Sequence, residues 1–240
     1  MFIYIALRMQ SIKATCSSES ASSKAATELR AAADPSPAPA QLADTGFNLA
    51  TAPFQRTLPA ELYPAQPSFP TILAPDGQPN FDESVALVRS LGSSDQLKQL
   101  LLASGGAVLL RGLSLDSADA FSQIAHAAGL GVVHEEVGRP PKRTLLAPAV
   151  NTANEGPPTA FIFTHNEYGW SSLHPDYVLF FALRPADERG ETPINSGVEL
   201  AALLEKRAPE FYEKLKTRVS IHRVWEGGRL GLTCKLARRG

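Results

Sequence analysis

Apolar positions along this chain come in short runs separated by Gly and Pro, the pattern of strands and brief helices folded around one core. Pro53 to Pro79 reads as an extended lead-in with a strand piece near Thr71-Ile72-Leu73. Leu97, Leu100 and Leu101 recur at i, i+3 and i+4, so Asp95 to Ala103 predicts a helix with Ser94 as N-cap and Gly105-Gly106 as its stop. Ala107 to Leu110 is an apolar run of strand length, closed by Arg111-Gly112. Ala118 to Ala128 predicts a second helix, with Phe121, Ile124, Ala125 and Ala128 on one face and Gly129 and Gly131 behind it. Phe161-Ile162-Phe163 reads as a short buried strand, and Tyr177 to Leu183 as a strand buried on both faces. Ser196 and Glu199 form a capping box for a helix to Lys206. Pro209 takes a first helical position and starts a helix to Lys216, followed by a strand over Val219 to Trp225. Between Glu136 and Pro158 the breakers Pro140-Pro141 and Pro157-Pro158 mark loops, either substrate-facing or merely connecting.

The ends differ from the middle. From Ile5 to Gly46 there is no aromatic residue, and Ser, Ala and Pro dominate. Such a stretch buries too little apolar area to offset its ordering entropy, so residues 1–46 are expected to be a disordered tail or a transit segment. Arg8, Lys13, Lys24 and Arg30 suit organelle targeting, whereas Glu19, Glu28 and Asp34 argue against it. Residues 47–226 form the folded domain, and residues 227–240 are expected to be an atypical basic tail carrying Arg229, Lys235, Arg238 and Arg239.

Composition narrows the partners. A net charge of −1 gives no basic excess for nucleic acid. No apolar run approaches the roughly 18–20 residues that span a bilayer. Cys16 and Cys234 lie in opposite end segments and make no disulfide framework, which fits a reducing compartment; the reading is cytoplasmic unless the leader directs the chain to an organelle.

The candidate chemistry lies at Thr164-His165-Asn166-Glu167. On an extended segment residues two apart point to the same side, so His165 and Glu167 supply two of the three ligands of a 2-His-1-carboxylate iron site. A surface His beside a solvated Glu is the plain alternative for the tripeptide alone. The third ligand is not evident: of the later histidines, His222 lies on a strand-like segment and His174 precedes Pro175. A hydrolytic metal centre of His165, Glu167 and His174 lacks the His-Glu-x-x-His spacing.

Four blocks extend the signal: Ala107 to Gly112; Thr152-Ala153-Asn154-Glu155-Gly156-Pro157-Pro158; His165-Asn166-Glu167; and Tyr177 to Phe181 leading to Arg189-Gly190-Glu191-Thr192-Pro193-Ile194. In this order the chain resembles the clavaminate synthase-like branch of the TauD/TfdA superfamily, over residues 54 to 225. The resemblance implies a mainly β, α+β domain with flanking helices on a double-stranded β-helix (jelly roll), here incomplete at the C-terminal end. It implies Fe(II) as cofactor, 2-oxoglutarate and O2 as co-substrates, and hydroxylation or desaturation of a small organic substrate; charge and apolar run length separately argue for no nucleic-acid and no membrane partner. His165 and Glu167 match the iron ligands, and Thr192 matches the Thr that hydrogen-bonds the 2-oxoglutarate carboxylate. Asn154 falls in the block lining the entrance, where it would contact substrate, and Phe161, Phe163 and Trp170 are candidate pocket walls. Asn166 stands where the branch has a second His. The blocks stop short of the family's distal His and its 2-oxoglutarate-binding Arg, so a truncated chain, inactive or retained as a binding scaffold, is the alternative expectation.

Overall fold

The apolar run Ala107–Arg111 lies at the centre of the fold because both of its faces are apolar. Val108 and Leu110 point into one hydrophobic cluster, Ala107 and Leu109 into another, and all four are almost fully buried. The computed structural model describes residues 2–7, 42, 44–134, 143–153, 155–157, 161–165, 167–168, 175–184, 190–217, 221–226 and 229–234; for 2–7, 216–217, 221–226 and 229–234 the description is of backbone alone. In chain order these residues form β1 (Phe2–Leu7), β2 (Phe47–Ala50), β3 (Arg56–Thr57), β4 (Ser68–Phe69), β5 (Thr71–Pro75), α1 (Phe81–Ser93), α2 (Gln96–Ala103) and β6 (Ala107–Arg111). They continue with α3 (Ala118–Ala127), β7 (Leu145–Ala147), β8 (Val150–Asn151), β9 (Tyr177–Phe181), α4 (Gly197–Arg207), α5 (Pro209–Thr217), β10 (Ile221–Glu226) and β11 (Arg229–Cys234).

One five-stranded sheet runs in the order β2-β5-β6-β1-β9. β5 and β6 are parallel, and the other neighbours are antiparallel. Three two-stranded pairs, β3-β4, β7-β8 and β10-β11, complete the described strands. The described residues thus form a mixed sheet with helices, and they close no barrel of the expected double-stranded β-helix kind.

Helices α1, α2 and α3 cover one face of the sheet, where Val88, Leu91, Leu97, Leu101, Phe121 and Ile124 meet Leu73, Val108 and Leu110. α1 starts at a full capping box: the Glu83 amide donates to Asn80 Oδ1 at 3.0 Å and the Asn80 amide to Glu83 Oε2 at 2.7 Å. Near its end Gly92 lets α1 touch the end of α3, since a Cβ there would lie 2.3 Å from the Ala128 carbonyl oxygen. Ser94 closes α1 and does not open the next helix; α2 is entered from Asp95, at φ 57°.

The opposite face is covered by the lead-in and by the segment before α4. Leu58, Tyr63, Phe69 and Ile72 pack with Ala107 and Leu109, with Ile194 and Val198 against them. Ser196 caps α4 by accepting the Glu199 amide at 3.4 Å, but the Glu199 carboxylate leaves the capping box to pair with Arg56, Nη1 donating to Oε1 at 3.2 Å. Burial lifts the Tyr63 phenol above its ordinary pKa, opposed by its hydrogen bond to Ser196 and aided by the Glu199 charge.

Three expectations change. Phe2–Leu7 is not tail: it pairs with β6 on one side (Ile3 with Leu110) and β9 on the other (Ile3 with Phe181). Residues 8–41 lie outside the described residues. Arg229–Cys234 is likewise a strand, antiparallel to β10, in place of the expected irregular basic tail. β9 packs on both faces, Tyr177, Leu179 and Phe181 against one cluster and Phe180 against the other, but it is only half-buried along its length and not fully buried as expected.

Candidate functional site

His165 and Glu167 leave the scaffold on a segment without regular structure, not on a strand. Phe161, Ile162 and Phe163 ahead of them are 78%, 54% and 75% exposed, which overturns the expected buried strand. The Phe161 and Phe163 rings meet edge to face, centroids 4.7 Å apart, as residues two apart on an extended chain can. They shield each other and form no core. His165 is exposed and Glu167 half-buried, so the pair sits at the surface and not at the end of a core strand.

The pair nevertheless converges. His165 Nδ1 lies 2.7 Å from the Phe163 carbonyl oxygen. With the ring proton on Nδ1 and donated to that carbonyl, Nε2 presents a lone pair. Nε2 faces Glu167 Oε1 at 3.4 Å. An imidazole lone pair and a carboxylate oxygen so placed repel one another unless a proton or a cation lies between them. One imidazole nitrogen and one carboxylate oxygen turned toward each other are a donor set that would suit a divalent ion. A backbone carbonyl fixing the tautomer of a metal-ligating imidazole is the usual outer support of such a ligand.

Arg143 also belongs to the site, with Nη2 3.5 Å from Glu167 Oε2. It enters from the start of the β7-β8 hairpin. Thr144 and Thr152 close that hairpin, the Thr144 amide donating to Thr152 Oγ1 at 2.9 Å and the Thr152 amide to the Thr144 carbonyl at 3.0 Å. The Ser122 hydroxyl of α3 donates to the Pro148 carbonyl at 2.6 Å and ties the hairpin turn to the helical layer. After Glu167, Tyr168 takes φ 53°, unusual for a bulky side chain, and its ring meets His134 edge-on at 4.7 Å. Arg143 Nε and His134 Nε2, buried side-chain polar atoms without hydrogen-bond partners among the described residues, border this Glu167-Tyr168 turn.

Thr192 is exposed, on the irregular segment leading to α4, and among the described residues no hydrogen bond joins it to the pair. His222 is on β10, where only the backbone is described. Asn154, Asn166, Trp170 and His174 lie outside the described residues. Among the described residues no third His, Cys, Asp or Glu joins His165 and Glu167. The shallow cleft between α1 and α3, lined by Arg89, Ser122, His126 and Pro148 among others, holds none of the predicted residues. Arg143 had no signal in the sequence, since a Lys-Arg pair after two prolines marks no metal chemistry.

A family profile described as taurine catabolism dioxygenase TauD, TfdA family matches residues 66–231, more than half of the chain. Over 116 residues the chain is 34% identical to a clavaminate synthase-like protein of Arabidopsis thaliana, covering 48% of this chain and 35% of that protein. It is 31% identical to the dapdiamide synthesis protein DdaC of Enterobacter agglomerans, again over 116 residues, 48% of this chain and 35% of that protein. The aligned region therefore spans about a third of the length of these relatives. No solved structure matches.

Proposed function

Because the chain belongs to the TauD/TfdA family, we propose that it carries the metal-binding pair of an Fe(II)- and 2-oxoglutarate-dependent oxygenase that oxidises a small organic substrate on a jelly-roll scaffold. One observation carries the reading: His165 Nε2 and Glu167 Oε1 face each other at 3.4 Å while the Phe163 carbonyl holds the other ring nitrogen. Bound there, Fe(II) supplies the redox chemistry that couples O2 and 2-oxoglutarate to oxidation of the substrate. His165 contributes a neutral imidazole whose ring is oriented from behind. Glu167 contributes one negative charge and an oxygen turned toward the imidazole. Thr192 donates its hydroxyl to a 2-oxoglutarate carboxylate, and Asn154 contacts the substrate at the entrance. Among the described residues no helix is long and apolar enough to cross a membrane.

The test separates this reading from that of a binding protein without metal chemistry. Anaerobic calorimetry should show 2-oxoglutarate binding to the Fe(II)-loaded protein, and far weaker binding without the metal. Thr192→Val should weaken that binding about tenfold or more, the equivalent of losing a charge-assisted hydrogen bond of about 1.5–3 kcal/mol. Thr192→Ser should largely preserve it. Equal affinity with and without Fe(II) would contradict the assignment of the site, and an unchanged Thr192→Val protein would contradict the assignment of Thr192.

A further inference from the structure

We infer that Arg143 is a positioning residue for Glu167, setting which carboxylate oxygen is offered to a metal ion; the inference rests on the metal-pair reading above. Two neighbours of Glu167 face different oxygens of its carboxylate. Oε2 is turned to the Arg143 guanidinium, Nη2 at 3.5 Å, and Oε1 to His165 Nε2 at 3.4 Å. A carboxylate with one oxygen turned to a cation offers the other toward the imidazole, which is the single-oxygen geometry that leaves neighbouring coordination positions open.

Arg143 can do this because it is itself held. It immediately precedes the Thr144–Thr152 closure, whose hairpin is anchored through Ser122 and Pro148 and through the buried side chains of Ala147 and Val150. His165 and Glu167, by contrast, lie on a segment without strand pairing. The guanidinium thus carries the rigidity of the helical layer out to the carboxylate. Arg143 uses one arm for this: Nη2 meets Glu167, while Nε on the same edge of the guanidinium is buried and has no partner among the described residues. A single ammonium donor can replace one arm but not the planar edge.

The sign of the effect separates positioning from simple charge balance. A cation that merely neutralises Glu167 competes with a metal ion, and its removal tightens metal binding. A cation that orients Glu167 does the opposite, since loss of an outer partner of a metal ligand weakens binding about 10- to 100-fold. The experiment is a Co(II) titration followed by the visible absorption of the bound ion, on wild type, Arg143→Ala and Arg143→Lys, with thermal melts of the metal-free proteins alongside. Arg143→Ala should bind Co(II) about 10- to 100-fold more weakly, and Arg143→Lys should recover most of that loss. If Arg143→Ala does not fold, Arg143→Met, which keeps the aliphatic stem, carries the comparison. Co(II) affinity equal to or tighter than wild type in the variant without the cation overturns the inference and leaves the metal pair standing. A wild-type protein that takes up no Co(II) overturns both.

Discussion

Glu167→Ala should weaken divalent-metal binding by at least about 100-fold, more than the loss of an outer partner costs, because it removes a ligand outright. Glu167→Gln should fare little better: the amide keeps the shape but loses the charge that attracts the ion. Neither change should unfold the protein. Glu167 lies on an irregular segment, and its ion pair with the partly exposed Arg143 is of the kind that contributes at most about 1 kcal/mol. Metal affinity and the denaturation midpoint should therefore separate cleanly, affinity collapsing while the midpoint scarcely moves. A Glu167→Ala protein that binds metal like wild type would remove this residue from the site.

The largest stability effect should come from the helical layer. Leu101 is fully buried on α2, among the side chains that meet β6, while its neighbour Leu102 is 45% exposed on the same helix. Leu101→Ala should cost about 3–5 kcal/mol, combining the lost transfer energy with the cavity left behind. That is a large share of the roughly 5–15 kcal/mol that holds a domain together. Leu102→Ala should stay within about 1 kcal/mol, because little area is uncovered and Ala favours the helix. Urea denaturation of the two variants makes the comparison within one turn of one helix. Similar midpoints for both would mean that α2 does not pack on the sheet as described.

Elements whose evidence is local were legible in the sequence. The strand at Ala107 and the helix at Ala118 followed from apolar spacing and Gly punctuation, and both occur within a residue or so of the expected bounds. α1 was missed although its signature was present: Asn80 and Glu83 at capping-box spacing, then Val85, Val88 and Leu91 at helical intervals. β1 was missed too. Its six residues precede a long Ser- and Ala-rich stretch, and its pairing with β6 and β9 is non-local. Phe161-Ile162-Phe163 shows the opposite failure, since a short apolar run does not state whether anything will cover it.

The candidate site divides along the same line. That His165 and Glu167 could meet was readable from their spacing along a single segment. Arg143 was not, because it reaches Glu167 through a hairpin that Ser122 ties to α3. Thr192 came from the resemblance alone, and its segment is held by Ser196 and Glu199 through contacts with Tyr63 and Arg56 that no local pattern announces. The closed jelly roll, too, was an inference from family likeness; the mixed order β2-β5-β6-β1-β9 depends on partners far apart in sequence.

Where a paramagnetic ion settles on the protein tests the central claim most directly. In NMR spectra of the isotopically labelled protein, substoichiometric Mn(II) broadens resonances close to its binding site before all others. The imidazole signals of His165 and the amides from Phe163 to Tyr168 should fade first, and Glu167→Ala should abolish that selective loss. Broadening centred on another cluster of side chains, or on none, would contradict the assignment of His165 and Glu167 as a metal-binding pair.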